Sequence, residues 1–143
     1  MMFHAKTLTT MEDTIFTKIV KGEIPCYKVA EDENFFAFLD ISPIAKGHVL
    51  VITKLQNDYI FDLPDELLGQ MMVFAKKVAI GIKKAIPCNR VGVAVIGIDV
   101  PHNHIHLVPI NGVGDLNFKA ERVKLTDEEF RSIASSIAAA IEL

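Results

Sequence analysis

The sequence has few cysteines and no long apolar run. Its 143 residues hold two cysteines, Cys26 and Cys88, which make neither a disulfide framework nor a cysteine-based zinc site. Unpaired cysteines fit a reducing compartment, so we expect a cytoplasmic protein. No apolar run approaches the roughly 18 residues of a membrane span, and residues 1–10 lack the apolar stretch of a secretory signal. A membrane is therefore not expected as a partner.

The sequence also lacks an excess of positive charge, because its 15 lysines and arginines are outnumbered by 18 acidic residues and the formal net charge is −3 at pH 7. Such a chain has no overall attraction for duplex nucleic acid or an anionic membrane, and neither is expected as a partner. Any phosphate must be held by local groups. Half of the residues are apolar, which is typical of a globular domain. Met11 resembles a second start, so we expect residues 1–10 to be a mobile extension and residues 11–143 to form one domain.

Hydrophobic periodicity predicts an α+β fold with one sheet of about five strands. A short helix is predicted behind Asp13 or Thr14, and the longest helix should cover residues 64–85. A last helix is predicted to start with a capping box at Thr126. The predicted strands are residues 26–30, 35–39, 47–53, 91–98 and 104–110.

Three histidines alternate over five positions, at His102, His104 and His106. Side chains alternate between the two faces of a strand, so the three imidazoles should share one face while Ile105 points the other way. Neighbouring rings would then lie roughly 6–7 Å apart. Core packing does not produce such a row, and the arrangement indicates a chemical role.

Three explanations of the row remain open from the residues alone. The histidines could be incidental on a polar surface strand, although Leu107 and Val108 continue as core-like residues. They could bind zinc or copper, with His48 as the extra ligand candidate. They could also provide a nucleophile that attacks phosphorus, with neighbours that fix its tautomer and hold the phosphate.

Four segments resemble the histidine-triad superfamily, in particular its bacterial Hint-like branch. Residues 102–108 fit the signature His-φ-His-φ-His-φ-φ, where φ is apolar. Residues 40–52 are similar to D-I-x-P-x-A-x-x-H-x-L-V-I, and residues 14–25 to I-F-x-K-I-x-x-G-E-I-P. Residues 97–102 are similar to the lead-in G-Q-x-V-P-H. The resemblance implies a HIT-like fold, with a mostly antiparallel five-stranded sheet, a long helix packed on it and a C-terminal helix.

The resemblance implies a role for each histidine. His104 matches the nucleophile that attacks a nucleotide α-phosphate and forms a covalent nucleotidyl-histidine. His102 matches the histidine that orients and polarises the nucleophile, relayed from the upstream histidine matched by His48. His106 matches the histidine that contacts phosphate oxygens and helps the leaving group. Backbone N–H groups that face the phosphate are expected at Asp99 and Val100.

The family's nucleoside pocket also has matching positions here. The resemblance assigns Asp40 to the carboxylate that hydrogen-bonds both ribose hydroxyls. Phe38 and Ile19 could equally be ordinary core, and Asp40 could be a turn carboxylate. The full set of expected pocket residues is Ile15, Phe16, Ile19, Phe38, Asp40 and Ile41.

The chain departs from the family pattern at several positions. Many bacterial relatives have zinc-binding C-x-x-C where this chain has Thr14 and Thr17, and a histidine ligand is replaced near Gln56. We therefore expect no structural zinc, no catalytic metal and no cofactor. Asn103 stands where the family has an apolar residue, and it will need hydrogen-bond partners if it faces inward. A carboxylate at Asp99 would repel phosphate unless it turns away.

The resemblance favours a hydrolase of purine nucleoside 5′-phosphoramidates, in which AMP is linked to an amine. A dinucleoside polyphosphate hydrolase is the alternative enzyme, and a nucleotide-binding regulatory module with vestigial activity is the alternative outside catalysis. Relatives of this size form a homodimer through the long helix and an adjoining strand. The apolar patch of Met71, Met72, Phe74 and Ala75 is broad enough to serve a partner as well as the core.

Overall fold

The computed structural model describes residues 12–143, so the extension expected at residues 1–10 lies outside the described chain. Residues 12–143 contain three α-helices: Ile15–Val20 (α1), Asp65–Ala85 (α2) and Asp127–Ala140 (α3). The strands are Lys28–Glu31 (β1), Phe35–Leu39 (β2), Val49–Thr53 (β3), Arg90–Ala94 (β4) and His104–Ile110 (β5). None of the described helices is both long and apolar enough to cross a membrane.

The five strands form one sheet in the order β1-β2-β3-β5-β4. Every neighbouring pair is antiparallel, which confirms the predicted α+β architecture. In the centre of the sheet, Ile52 of β3 lies opposite His104 of β5, and Leu50 lies opposite His106. This register places β3, and the residues just before it, beside the strand that contains His104 and His106.

The two faces of the sheet have separate apolar clusters, because side chains alternate along each strand. On one face, Val51 and Ile105 belong to the main core, which α2 and α3 cover. On the other face, α1 is the only covering helix in the described chain, and a smaller cluster forms there. That cluster consists of Phe16, Ile19, Phe36, Phe38, Leu50 and Ile52.

The predicted helix signals hold at the atomic level. Thr14 caps α1 and accepts a hydrogen bond from the N–H of Thr17, and Thr126 with Glu129 forms the capping box of α3. The apolar patch predicted on α2 is mostly used internally, since Met71 and Phe74 are buried in the core. Met72 is exposed, so the four residues of the patch do not act together as one surface for both the core and a partner chain.

The prediction for β4 is wrong at its C-terminal end, because the strand stops at Ala94 instead of continuing to residue 98. The apolar run favours a strand, but Ala94 already lies opposite His106, close to the start of β5. Beyond it the chain bends at Gly97, which has a φ of +70°. Tertiary pairing overrides strand propensity here, and the loop it releases runs toward the histidines.

Candidate catalytic cavity

A cavity of about 560 Å³ opens on the α1 face of the sheet, a size suited to a nucleotide. His104 and His106 line it, whereas His48 and His102 do not. The structure brings all the expected nucleoside-pocket and loop residues to the same wall, namely Ile15, Phe16, Ile19, Phe38, Asp40, Ile41, Asp99 and Val100. Phe16 and Phe38 meet edge to face with ring centroids 5.6 Å apart, so an apolar floor adjoins the imidazoles.

His104 is held by a hydrogen bond to the main chain. Its Nδ1 lies 2.7 Å from the carbonyl oxygen of His102, and a carbonyl can only accept. Nδ1 of neutral His104 must therefore carry the proton, which leaves a lone pair on Nε2. That Nε2 makes no hydrogen bond to another described residue, and the His104 side chain lines the cavity. Phe16 packs edge to face on the ring at 5.0 Å and limits its rotation.

His106 has the opposite tautomer. The N–H of Ile44 donates to Nδ1 of His48 at 3.1 Å, so the proton of neutral His48 lies on Nε2. His48 Nε2 lies 3.0 Å from His106 Nδ1 and donates to it. The proton of His106 is thereby placed on Nε2. The cavity thus presents a nitrogen lone pair on His104 beside an N–H donor on His106, with ring centroids 5.0 Å apart.

Burial keeps His48 and His106 uncharged near pH 7. It lowers the pKa of His48 to about 3, with the neighbouring His106 and Arg122 charges adding to the effect. It lowers the pKa of His106 to about 4, with His104 and Arg122 adding to the effect. Both rings are neutral near pH 7, and the tautomers fixed by their hydrogen bonds persist there.

The expected relay from His48 to His102 is wrong. The antiparallel register places Leu50 opposite His106, and His48 lies two residues before Leu50 on the same face. Its ring therefore reaches His106 within β5, whereas His102 lies before the first residue of that strand. The geometric reason is the register itself, which spacing within the histidine segment could not reveal.

His102 lies before β5 and does not extend the row into the cavity. Its Nε2 lies 2.7 Å from the carbonyl oxygen of Thr53, and its Nδ1 lies 3.0 Å from the hydroxyl of Thr14. Nε2 must donate and Nδ1 accepts, so this ring is fixed from both sides. Burial lowers the pKa of His102. The side chain fixes the main chain whose carbonyl group holds His104.

The positions that would be zinc ligands in relatives form a hydrogen-bonded cluster here. Thr17 donates to the Gln56 side-chain oxygen at 2.9 Å, and the Gln56 amide donates to the carbonyl oxygen of Glu12 at 2.7 Å. The hydroxyls of Thr14 and Thr17 lie 3.1 Å apart. Neutral hydroxyl and amide groups are not the thiolate, imidazole or carboxylate ligands of structural zinc, so this donor set does not fit the ion.

A cation could be considered at one other place. Asp40, His48 and His106 each offer one ligand atom, and these atoms lie within 4.8 Å of one another. The facing nitrogens of the two histidines already share a proton across 3.0 Å. A metal ion would have to displace that proton and break the relay that orients His106.

Asp40 performs the turn role and also faces the cavity. One carboxylate oxygen, Oδ1, accepts the N–H of Ser42 at 2.8 Å, and the other, Oδ2, lies 3.6 Å from His48 Nε2. Burial raises the pKa of Asp40, while the Ser42 hydrogen bond and the Arg122 charge act in the opposite direction. Asp40 can therefore stabilise the turn and also serve as the expected ribose ligand, because the two roles do not exclude each other.

The loop after β4 leaves backbone donors free at the cavity wall. The N–H groups of Asp99 and Val100 donate no hydrogen bond within the described residues. The Asp99 side chain is exposed. Asn103, which departs from the family pattern, faces away from this wall and donates from Nδ2 to the Thr53 hydroxyl at 2.8 Å and to the carbonyl oxygen of Asn57 at 3.1 Å.

The sequence analysis missed several cavity residues, and two of them, Phe118 and Arg122, lie in one segment far along the chain. Phe118 packs edge to face on His106 with centroids 4.6 Å apart, and Arg122 lines the cavity four residues later. Both belong to the connection between β5 and α3, which has no periodicity to follow. Only the path of the folded chain brings them to the histidines.

Comparisons with known proteins identify relatives of this chain by sequence and by fold. A family model described as HIT domain matches residues 21–112. The chain is 36% identical over 137 residues to Protein hit of Bacillus subtilis, with 89% of this chain and 93% of that protein covered. It is 36% identical over 131 residues to Adenosine 5′-monophosphoramidase hnt1 of Schizosaccharomyces pombe, with 90% and 98% covered. The solved structure of a Hit-like protein involved in cell-cycle regulation from Bartonella henselae is similar at a TM-score of 0.79 and 29% identity, with 93% of this chain and 99% of that chain covered.

We expect stability to depend on pH through the buried histidines. In the unfolded chain His48 and His106 titrate near 6.5, whereas in the folded chain their pKa values are about 3 and about 4. Between the folded and unfolded pKa values, the unfolded state binds more protons than the folded state. The free energy of unfolding therefore has its full value above about pH 7 and decreases as the pH falls through 6.5. Each histidine contributes a slope of at most about 1.4 kcal/mol per pH unit.

Urea unfolding at several pH values between about 7.5 and 5 measures this dependence. His48→Gln removes one buried imidazole and should reduce the slope by about one proton. A free energy of unfolding that is constant across the range in the unsubstituted protein would contradict the assignment of buried, neutral histidines.

Proposed function

The chain belongs to the HIT domain family, and from this premise we propose that it hydrolyses purine nucleoside 5′-phosphoramidates of the AMP–amine type. The observation that carries the proposal is the pair of opposite tautomers, with a lone pair on His104 Nε2 beside the N–H of His106 Nε2. A neutral imidazole with a free lone pair is a nucleophile for phosphorus. The similarity to a protein named as an adenosine 5′-monophosphoramidase supports the choice of substrate.

The reaction proceeds in two displacements. His104 Nε2 attacks the α-phosphorus while the phosphorus–nitrogen bond breaks, which gives a nucleotidyl-histidine. The departing amine takes up the proton of His106 Nε2, and the water of the second step restores that proton. The His102 carbonyl oxygen holds the Nδ1 proton of His104 and stabilises the positive charge that develops on the ring. Water then cleaves the bond between His104 and phosphorus, so the net reaction consumes one water and releases AMP and the amine.

The other groups of the cavity bind and orient the nucleotide. The N–H of His106 Nε2 donates to a phosphate oxygen and assists the leaving group, and the N–H groups of Asp99 and Val100 face the phosphate. Phe16 and Phe38 form an apolar surface for the purine. No cofactor or metal ion takes part, so turnover persists in EDTA. The cytoplasm is the proposed location, since the two cysteines are free thiols.

We expect His104→Ala to abolish hydrolysis while AMP affinity stays within about tenfold, because the nucleophile acts mainly in the transition state. Initial rates with an adenosine phosphoramidate and with a diadenosine polyphosphate, each in EDTA, measure the change and separate the two substrate classes. A rapid acid-free quench with labelled substrate should place the nucleotidyl group on the peptide that contains His104. Retention of more than about 5% of the unsubstituted kcat would remove His104 from this role.

We expect Asp40→Asn to weaken ribonucleotide binding by about 10- to 150-fold, since a charge-assisted hydrogen bond is worth about 1.5–3 kcal/mol. The asparagine oxygen can still accept the Ser42 N–H, so the turn is preserved while the second ribose acceptor becomes a donor. A 2′-deoxynucleotide lacks one hydroxyl and should lose less affinity. Calorimetric titration of AMP and 2′-deoxy-AMP into both proteins tests this, and equal losses would leave Asp40 with its turn role alone.

The proposal includes a homodimer that uses the outer face of α2 and the neighbouring sheet edge. Met72, Val73 and Ile80 are exposed apolar residues of α2. β4 is an edge strand of the sheet, and an exposed edge with apolar neighbours favours pairing with a second chain. Light scattering should give twice the chain mass, and Val73→Lys should shift the protein toward monomer. A monomer of the unsubstituted chain at about 100 μM would overturn this part of the proposal.

A further inference from the structure

The cavity that receives an anionic nucleotide has very little positive charge. Among the described residues that line it, Arg122 is the only lysine or arginine, whereas Asp40 and Asp99 are both present. His48 and His106, which adjoin or line the wall, are uncharged near pH 7. A phosphate group would therefore face two carboxylates and one guanidinium, so Arg122 is the group that makes phosphate binding electrostatically favourable.

The guanidinium group of Arg122 is held in place by the main-chain carbonyl groups of two residues that line the cavity. Nη1 donates to the carbonyl oxygen of Ser42 at 3.1 Å, and Nη2 donates to the carbonyl oxygen of Phe118 at 3.0 Å. Ser42 belongs to the turn fixed by Asp40, and the ring of Phe118 packs on His106. The charge is thus bonded to the turn that contains Asp40, the expected ribose ligand, and to Phe118, which packs on His106, the expected phosphate ligand.

Arg122 keeps hydrogen-bonding capacity for a ligand. A guanidinium has five N–H donors in a planar fork, and the two carbonyl groups use only part of them. No carboxylate within the described part of the chain lies within 4.0 Å of its nitrogens. The side chain is only partly buried. An arginine that is fixed, half-covered and without an acidic partner is suited to bidentate binding of a phosphate.

We propose that Arg122 is a substrate-binding residue that contacts the phosphate of the nucleotide in this cavity. The inference rests on the proposed function in that it requires a nucleotide to occupy the cavity, but it does not require turnover. A purely structural role is the competing explanation, since the two carbonyl contacts also tie the segment around Phe118 to the turn at Ser42. The two explanations differ in which ligand they affect.

Calorimetric titration of AMP and of adenosine at low salt separates them, using the unsubstituted protein and three variants. Arg122→Gln should weaken AMP binding by about 10- to 100-fold and leave adenosine affinity within about twofold. Arg122→Lys, which keeps the charge and loses the planar fork, should recover part of the AMP affinity. Lys119→Gln is the matched control, because it removes one positive charge from the same segment at an exposed position outside the cavity, and it should change neither affinity by more than about twofold.

The other outcomes each overturn a defined statement. Equal losses of AMP and adenosine affinity in Arg122→Gln would assign the residue a structural role and overturn the inference. Unchanged AMP affinity in that variant, or an unsubstituted protein that binds AMP no more tightly than adenosine, would overturn it as well. An unsubstituted protein that binds neither ligand would overturn the proposed nucleotide function and the inference with it, whereas AMP binding without hydrolysis would overturn only the proposed reaction.

Discussion

His104 Nδ1 lies 2.7 Å from the carbonyl oxygen of His102, and the chemistry of the cavity depends on this hydrogen bond. It places the proton of the neutral ring on Nδ1 and leaves a lone pair on Nε2. The chain from Ile44 through His48 imposes the reverse tautomer on His106. Two adjacent imidazoles with the same covalent structure therefore present different groups to the cavity, a nitrogen lone pair on His104 and an N–H donor on His106.

The fold provides these two hydrogen bonds by separate means. The antiparallel register of β3 and β5 carries His48 to the side of His106, and the main core beneath the sheet holds that register. The carbonyl group of His102 is fixed instead by the ring of His102, which contacts Thr53 and the Thr14 hydroxyl. Thr14 also caps α1. The cap of the helix that covers the cavity and the hydrogen bond that fixes the His102 ring consequently share one residue.

Local patterns were sufficient for part of this arrangement. Alternation along β5 predicted that His104 and His106 share a face opposite Ile105. The family resemblance predicted that Phe38 and Asp40 lie near these histidines, and both line the same cavity. These features depend on strand periodicity and on motifs contiguous in the chain. They needed no knowledge of how distant segments pack, which is why the sequence could predict them.

The features that were mispredicted depend on long-range geometry. The partner of His48 follows from strand register, the end of β4 at Ala94 follows from where its neighbour begins, and Arg122 reaches the cavity through a connection without periodicity. Thr14 and Thr17 depart from a zinc-binding pattern that is visible in the sequence, but the hydrogen bond from Thr14 to His102 depends on how the start of α1 packs against the segment before β5.

The proton positions of the histidine rings test the central claim most directly. Nitrogen-15 NMR of the imidazole groups in the unliganded protein near pH 7 distinguishes protonated from lone-pair nitrogens. We expect the proton of the neutral His104 ring on Nδ1, and neutral His48 and His106 with their protons on Nε2. A proton on Nε2 of His104, or on Nδ1 of His106, would contradict the assignment of nucleophile and donor.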